Sequence, residues 1–279
     1  MRRLAAFLVH SNVWIATGAA ALALETSCLL GFEPVWPAAV QLFLATFMVY
    51  SLQRLVKVQT EKFPSDALVF AARHRKALLA AVLACAVGGA FVHVQITNSF
   101  VVLALLVGAF SVLYVAKIFS LQSQKVALRE IPFAKLWTVT LVWAVATAVL
   151  PIVQFGTLSS ESLSLILERW FFLVAITIPF DIRDLQVDPP HARTLPMLIG
   201  VSRAKKVTWV FFALALLVNF YRLHAGWLVP TQVLGLAGVY VIAILVTSKV
   251  TPQVNHLYCG FGLDATLILH ATALLLSVG

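Results

Sequence analysis

The stretch from Ile178 to Gly200 reads Ile-Pro-Phe-Asp-Ile-Arg-Asp-Leu-Gln-Val-Asp-Pro-Pro-His-Ala-Arg-Thr-Leu-Pro-Met-Leu-Ile-Gly. Its Asp181, Asp184 and Asp188 are spaced i, i+3, i+7, which on a helix places three carboxylates on one face. The Pro-Pro pair that follows stops the helix, because proline has no backbone N–H. Three like charges beside an apolar run persist where a cation neutralises them. We therefore expect a hard divalent cation bound through these oxygens and shared with a phosphate group; a solvated acidic loop is the alternative.

The chain outside this stretch is mostly apolar. Apolar residues make up 61% of its 279 residues, and the mean hydropathy is +0.97. Little polar surface is left to meet water, which excludes an ordinary soluble domain. We predict an all-α polytopic membrane protein, a bundle of about nine transmembrane helices around a central cavity, forming a single domain over residues 1–279. The predicted spans, each about long enough to cross a bilayer, are residues 9–30, 37–53, 77–96, 99–118, 136–155, 163–180, 207–223, 227–247 and 257–278.

Basic residues lie almost entirely on alternate connections between these spans, a bias that marks the cytoplasmic side. Only Arg169 and Arg222 fall on the other side. We therefore expect a cytoplasmic amino terminus, an outer carboxyl terminus and a cytoplasmic acidic cluster, in a bacterial cell membrane. The formal charge of +9 fits this bias and contact with anionic lipid. We expect the lipid bilayer as a partner and no nucleic acid, because the basic residues do not gather in a soluble domain.

The segment from Asp181 to Gly200, with its Arg193-Thr194-Leu195-Pro196, resembles the second aspartate-rich motif of the UbiA superfamily of intramembrane prenyltransferases. The resemblance extends to Tyr114 in Val-Leu-Tyr-Val-Ala-Lys, to Leu-Arg-Glu-Ile-Pro-Phe-Ala-Lys ending at Lys135, and to the order of helices. It therefore covers most of the chain, although only Asp181 to Gly200 is specific enough to identify the family. It implies a transferase that moves an isoprenyl group from an isoprenyl diphosphate to a lipophilic acceptor such as an aromatic ring.

The resemblance also implies a set of site residues. Mg²⁺ would be held by the catalytic residues Asp181, Asp184 and Asp188, and the substrate would be bound by Arg54, Lys57, Tyr114, Lys135 and Arg193. The family's first acidic motif, NDxxDxxxD, is absent. With Ser51 at the Asn position, the acidic positions hold Leu52, Leu55 and Gln59. We expect a one-metal site in which Arg54, helped by Lys57 or Lys135, contacts the diphosphate directly; for both helix-end cations a simple anchoring role is the alternative.

Three function classes remain open. The first is an active prenyltransferase with an altered first motif. The second is a catalytically silent relative that binds an isoprenoid or lipid, which the missing motif favours. The third is a transporter, suggested only by Asp264 and His270 in the last span. We expect Asp264 to face the cavity or to have a hydrogen-bonded structural role, and we do not pair it with His270.

Other polar residues are expected to have ordinary roles. Glu168 and Arg169 are predicted to be interfacial. Cys28, Cys85 and Cys259 are too few and too far apart for a disulfide framework, so we interpret them as small core residues. The first apolar run is expected to be a retained helix, with a cleaved signal peptide as the alternative.

Overall fold

The computed structural model describes residues 2–60, 65–93, 97–114, 119–121, 124–156 and 158–276. Short 3₁₀ turns lie at Leu128–Glu130, Asp184–Gln186 and Pro190–Ala192. Two short strands, β1 (Phe119–Leu121) and β2 (Gln124–Val126), pair antiparallel. The described helices, in chain order, are α1 (Arg2–His10), α2 (Val13–Leu29), α3 (Trp36–Thr60), α4 (Asp66–Arg73), α5 (Arg75–His93), α6 (Asn98–Leu113), α7 (Ala134–Ala144), α8 (Leu150–Phe155), α9 (Ser160–Arg183), α10 (Leu195–Ile199), α11 (Val201–His224), α12 (Pro230–Ser248) and α13 (His256–Leu275).

Most of these helices are long and apolar enough to cross a bilayer. In the described part of the chain seven segments meet that requirement, and α1 with α2 make an eighth if a 69° bend is allowed within one span. Helix α6 is apolar but shorter. The all-α membrane class is therefore confirmed, whereas the predicted count of nine spans is not. The seven segments are Trp36–Gln59, Arg75–Val92, Ala134–Phe155, Ser160–Gln186, Val201–His224, Pro230–Ser248 and His256–Leu275.

The bend between α1 and α2 is stabilised by one local conformation and by contacts from α3. Asn12 adopts a left-handed conformation with φ 68°, which asparagine tolerates better than most residues. Its side-chain amide donates to the hydroxyl of Ser51 on α3 at 3.1 Å. The guanidinium of Arg54, one turn further along α3, donates to the carbonyls of Val9 (3.2 Å) and His10. These carbonyls end α1 and lack partners within it, so α3 holds the bend by capping α1.

A second irregularity interrupts the span of α7 and α8. Residues Val145–Val149 form a π-helical turn between the two helices, and such turns leave backbone groups open to outside partners. The carbonyl of Thr147 accepts a hydrogen bond from the hydroxyl of Thr26 at 2.9 Å and from the guanidinium of Arg169 at 3.4 Å. The π turn therefore joins this span to α2 and α9.

Helix α9 is the central helix of the bundle. Its inner face is buried by α11, α7 and α13, and Phe172 is fully buried against Phe212 and Tyr240. Large apolar side chains are exposed on the outer helices, among them Leu83 and Phe91 on α5 and Leu105 on α6. A continuous apolar outer surface of this kind meets lipid in a membrane protein.

The core also contains a charged network that connects α2, α9 and α13. Arg169 and Glu25 form an ion pair at 2.7 Å, and the imidazole of His270 lies between Glu25 (2.9 Å) and Glu168 (3.0 Å). The carboxylate of Glu168 also accepts from Tyr240. All of these side chains are at most 3% exposed. The prediction that Glu168 and Arg169 are interfacial is therefore wrong, because both charges are neutralised inside the bundle by partners distant in sequence.

Candidate functional site

A cavity of about 370 Å³ lies between α1, α3, α4, α7, α9 and α13. The residues that line it follow helical spacing on each wall: Lys135, Val139 and Trp143 on α7 are four residues apart. On α13 the lining residues include His256, Gly260 and Asp264. Each wall thus presents one continuous helix face to the cavity.

The cavity has a charged end and an apolar end. Charged side chains come from the first turn of α7 and from the last turns of α3 and α9, because neighbouring spans run in opposite directions. The other end is walled by Trp143, Leu173, Ile176 and Leu267. Lys135 and Trp143 are eight residues apart, so the two ends are separated by about 12 Å along α7. The Asp, Arg and Lys residues of the lining are Arg54, Lys57, Asp66, Lys135, Asp181, Arg183 and Asp264.

The predicted acidic cluster forms, and a lysine lies at its centre. The ammonium nitrogen Nζ of Lys135 is 3.1 Å from a carboxylate oxygen of Asp181, 3.1 Å from one of Asp184 and 2.5 Å from one of Asp188. Arg183 donates from Nε to Asp184 at 2.7 Å. The sequence spacing correctly predicted the convergence of three carboxylates, although the cation at their centre in this structure belongs to the protein.

The backbone reaches this arrangement differently from the expected continuous helix. Helix α9 ends at Arg183, and a 3₁₀ turn then carries the chain to Asp188, whose amide donates to the Asp184 carbonyl at 2.8 Å. Across the cluster, the amide of Phe133 donates to the Ala192 carbonyl at 3.2 Å. This bond ties the start of α7 to the segment after the cluster, and so places Lys135 opposite the three aspartates.

The donor set of the cluster suits a hard divalent cation. All three side chains offer carboxylate oxygens, the ligands that Mg²⁺ prefers. Asp181 is 1% exposed, and neither of its carboxylate oxygens accepts a hydrogen bond among the described residues. In the described part of the chain no three acidic, His or Cys side chains surround an open metal position. The chemical type of the three ligands thus suits a metal ion, while in this structure the carboxylates are arranged around the Lys135 ammonium.

Two further predicted residues lie outside the cavity lining. Tyr114, at the end of α6, is within the electrostatic reach of Lys135 and Asp181, and burial raises its pKa, so its phenol is neutral and able to donate a hydrogen bond. Arg193 is exposed, with φ 44°, in the loop after the cluster. Neither residue contacts the acidic cluster in this structure, and their substrate-binding roles stay predictions.

Solved structures show which known proteins share this architecture. A UbiA homolog from Aeropyrum pernix K1 superposes with a TM-score of 0.65 at 16% identity, over 95% of this chain and 98% of that one. A UbiA homolog from Archaeoglobus fulgidus, solved with GPP and Mg²⁺ bound, gives a TM-score of 0.62 at 11% identity over 97% and 99%. A structure of digeranylgeranylglyceryl phosphate synthase gives 0.61 at 12% identity over 100% and 99%.

The chain has the UbiA fold. The family predicted from the segment between Asp181 and Gly200 is confirmed at the level of the fold, over almost the whole of each compared chain. No family model and no curated protein matches the sequence. The likeness to these solved structures is therefore in the arrangement of helices, at 11–16% sequence identity.

The face of α3 that lines the cavity lies in the segment where the resemblance placed the family's first acidic motif. The cavity-lining residues there are Tyr50, Gln53, Arg54 and Lys57. Leu52 is 36% exposed and does not line the cavity. With Ser51 at the Asn position of the motif, one acidic position thus falls at Leu52, outside the cavity lining.

The cavity face suggests a different register. Gln53, Arg54 and Lys57 have the spacing of the first three polar positions in NDxxDxxxD, and the fourth position, Glu61, lies outside the described residues. Two acidic positions of the motif thus hold basic residues. In this alternative register the basic residues Arg54 and Lys57, which line the same cavity as Asp181, would take two of the acidic positions.

Several cavity residues were not singled out from the sequence. Arg183 lies inside the acidic motif and was overlooked there, while His256 and Asp66 resembled ordinary helix-start residues. Of the two alternatives for Asp264, the structure has the first: it lines the cavity and makes no hydrogen bond or ion pair within the described part of the chain. Helical spacing could have found His256, because it lies eight residues, or about two turns, before Asp264.

Proposed function

We propose that the protein is an intramembrane prenyltransferase that transfers an isoprenyl group from an isoprenyl diphosphate to a lipophilic acceptor. The observation that carries the proposal is a cavity in the UbiA fold with an apolar end and a charged end. Asp181 and Lys135 line the charged end, and Asp184 and Asp188 meet them at the Lys135 ammonium. An isoprenyl diphosphate also has an apolar part and a charged part, because its apolar chain is joined to a highly charged leaving group.

The charged end would hold the diphosphate. Arg54, Lys57, Lys135 and Arg183 all line it, and guanidinium and ammonium groups are suited to phosphate oxygens. Arg54 uses donors on two of its nitrogens for the carbonyls that end α1, and a guanidinium has five N–H donors in all. When bound to the three aspartates, Mg²⁺ would stabilise the negative charge that develops on the leaving group.

The apolar end would hold the isoprenyl chain and exclude water. Leu173 and Leu267 have no side-chain hydrogen-bonding group, and the indole N–H of Trp143 already donates to the Tyr50 hydroxyl at 3.2 Å.

In the reaction the allylic carbon–oxygen bond breaks, the diphosphate leaves with the electron pair, and an electron pair of the acceptor forms the new bond. Water exclusion protects the allylic cation between these events. Asp264, which also lines this cavity, would take the proton that the acceptor loses.

A catalytically silent relative that binds an isoprenoid or lipid is the second candidate. It is favoured by the basic residues Arg54 and Lys57 at two positions where the first acidic motif would carry carboxylates. In that case the cavity would bind an isoprenyl diphosphate or an isoprenoid lipid without releasing diphosphate from it.

Radiolabelled prenyl transfer in membranes, with several phenolic and lipid acceptors, separates the two candidates. Asp184→Ala tests the role of the cluster, because Asp184 lies at its edge with 18% of its side chain exposed and the protein should remain folded. We expect this change to weaken Mg²⁺-dependent binding of an isoprenyl diphosphate about ten-fold or more, the loss of a charge-assisted contact. Asp66→Asn is the matched control, since Asp66 lines the cavity outside the cluster. Equal affinity of wild type and Asp184→Ala, with and without chelator, would mean that the cluster is not a metal site.

A further inference from the structure

The charges of the acidic cluster do not balance in this structure. Three carboxylates meet two cations, Lys135 at their centre and Arg183 at the side of Asp184. One negative charge is left over, and the buried Asp181 has only the ion pair with Lys135, with no hydrogen bond to either of its carboxylate oxygens. A divalent cation in place of the ammonium would make the cluster neutral. The site is thus better matched to a doubly charged occupant than to the lysine that fills it.

We infer that Lys135 is a tethered cation that exchanges with the divalent metal ion. In the substrate-free site its ammonium holds the three carboxylates together. When metal and diphosphate arrive together, Lys135 leaves the cluster and its ammonium contacts the diphosphate. The second half of this inference rests on the proposed function, whereas the first half concerns metal binding alone.

The position of Lys135 permits this exchange. It lies in the first turn of α7 and lines the same cavity as Arg54 and Lys57. A lysine ammonium ends a flexible four-carbon stem, so it can move from the carboxylates into the cavity while the helix stays in place. Buried carboxylates close together repel one another unless a cation lies between them, which explains why the Lys135 ammonium lies among the three aspartates.

Two consequences follow for binding. Lys135 competes with the metal ion for the carboxylates, so a metal ion alone should bind weakly to the wild-type protein. A diphosphate attracts the released ammonium, so metal and diphosphate should each strengthen the binding of the other, by the same factor in both directions.

The test uses Mn²⁺ as a spectroscopic probe for Mg²⁺, with the full-length protein in lipid nanodiscs. Lys135→Gln should bind Mn²⁺ alone about ten-fold more tightly than wild type, which corresponds to about 1.4 kcal/mol. The same variant should bind a non-hydrolysable geranyl diphosphate analogue about ten-fold more weakly at saturating Mg²⁺. A substitution that only damaged the site would weaken both ligands, so the opposite signs are specific to an exchange.

Three variants control the interpretation. Lys206→Gln removes an exposed cation outside the cavity and should leave Mn²⁺ affinity unchanged. Lys135→Arg keeps the positive charge and should keep Mn²⁺ binding weak. Adding Asp181→Asn to Lys135→Gln should abolish the gain, because it removes a ligand.

Unchanged or weaker Mn²⁺ binding by Lys135→Gln would overturn the inference. If that variant does not fold, the wild type decides: inorganic diphosphate must raise its Mn²⁺ affinity, and tight Mn²⁺ binding that is independent of diphosphate overturns the inference as well. Failure of the proposed function would show as no binding of an isoprenyl diphosphate by wild type with Mg²⁺. The gain in Mn²⁺ affinity is measured without that ligand, so the two failures are distinguishable.

Discussion

Removing Arg169 should destabilise the protein strongly although it lies outside the cavity. Its side chain is fully buried, pairs with Glu25 at 2.7 Å, and donates to the carbonyls of Leu22 (3.2 Å) and Thr147 (3.4 Å). In Arg169→Met the packing volume is largely kept, but Glu25 loses its main counter-charge. Breaking a buried pair from one side costs about 3–5 kcal/mol.

The assay is thermal unfolding of the detergent-solubilised protein, followed by tryptophan fluorescence. A loss of about 3–5 kcal/mol corresponds to a fall of roughly 6–20 °C in Tm, at about 2–4 °C per kcal/mol for a chain of this size class. Arg203→Met is the matched control, because Arg203 is exposed near the start of α11. Exposed charges contribute about 0–1 kcal/mol, so its Tm should change little.

A double variant separates the ion pair from simple packing. Glu25→Gln with Arg169→Met removes both charges together, so no isolated charge remains in the core. We expect the double variant to lose less stability than the sum of the two single variants, with a coupling of about 0.5–3 kcal/mol. A Tm of Arg169→Met within about 2 °C of wild type, on the same scale, or strictly additive losses, would refute the reasoning.

Two further predictions concern orientation and the diphosphate. In a background without the native cysteines, Ser65→Cys and His191→Cys should react with a membrane-impermeant thiol reagent from the cytoplasmic side, because the positive-inside bias places both there; labelling only from the outer face would reverse the orientation. Arg54→Ala should weaken binding of an isoprenyl diphosphate about ten-fold, since a charge-assisted contact contributes about 1.5–3 kcal/mol. Equal affinity would assign Arg54 solely to capping α1.

The helical membrane fold was predictable from the sequence because each membrane span is a long apolar segment that can be recognised by itself. Each apolar run identifies a helix independently of the others, and the charge bias adds orientation. The interruptions were not predicted. The bend at Asn12 carries no proline or glycine, and the π turn at Val145–Val149 lies in a uniformly apolar run. Both depend on partners elsewhere in the fold, such as Ser51 and Arg169.

The candidate site, too, was predictable only where its residues are close together in sequence. Convergence of Asp181, Asp184 and Asp188 was predictable because their spacing is local. Lys135 at their centre was not, since it is 46 residues or more away in sequence and equally suited to a headgroup contact. The buried network was missed for the same reason. Glu25 and His270 meet across 245 residues, and each alone resembles an ordinary polar residue near a helix end.

The protein contains two groups of buried charged residues, the network around His270 and the cluster around Lys135, and they differ in how completely their charges are paired. In the network around His270, each charge has a fixed partner and no lining residue of the cavity takes part, so the arrangement stabilises the bundle. At the cavity three carboxylates meet two cations, Lys135 and Arg183, and the carboxylate of Asp181 has an ion pair with Lys135 but accepts no hydrogen bond. Because unpartnered buried charge is costly, it persists where a ligand completes it. The incomplete neutralisation of the cluster therefore supports our proposal that a charged substrate binds at the cavity and not at the network.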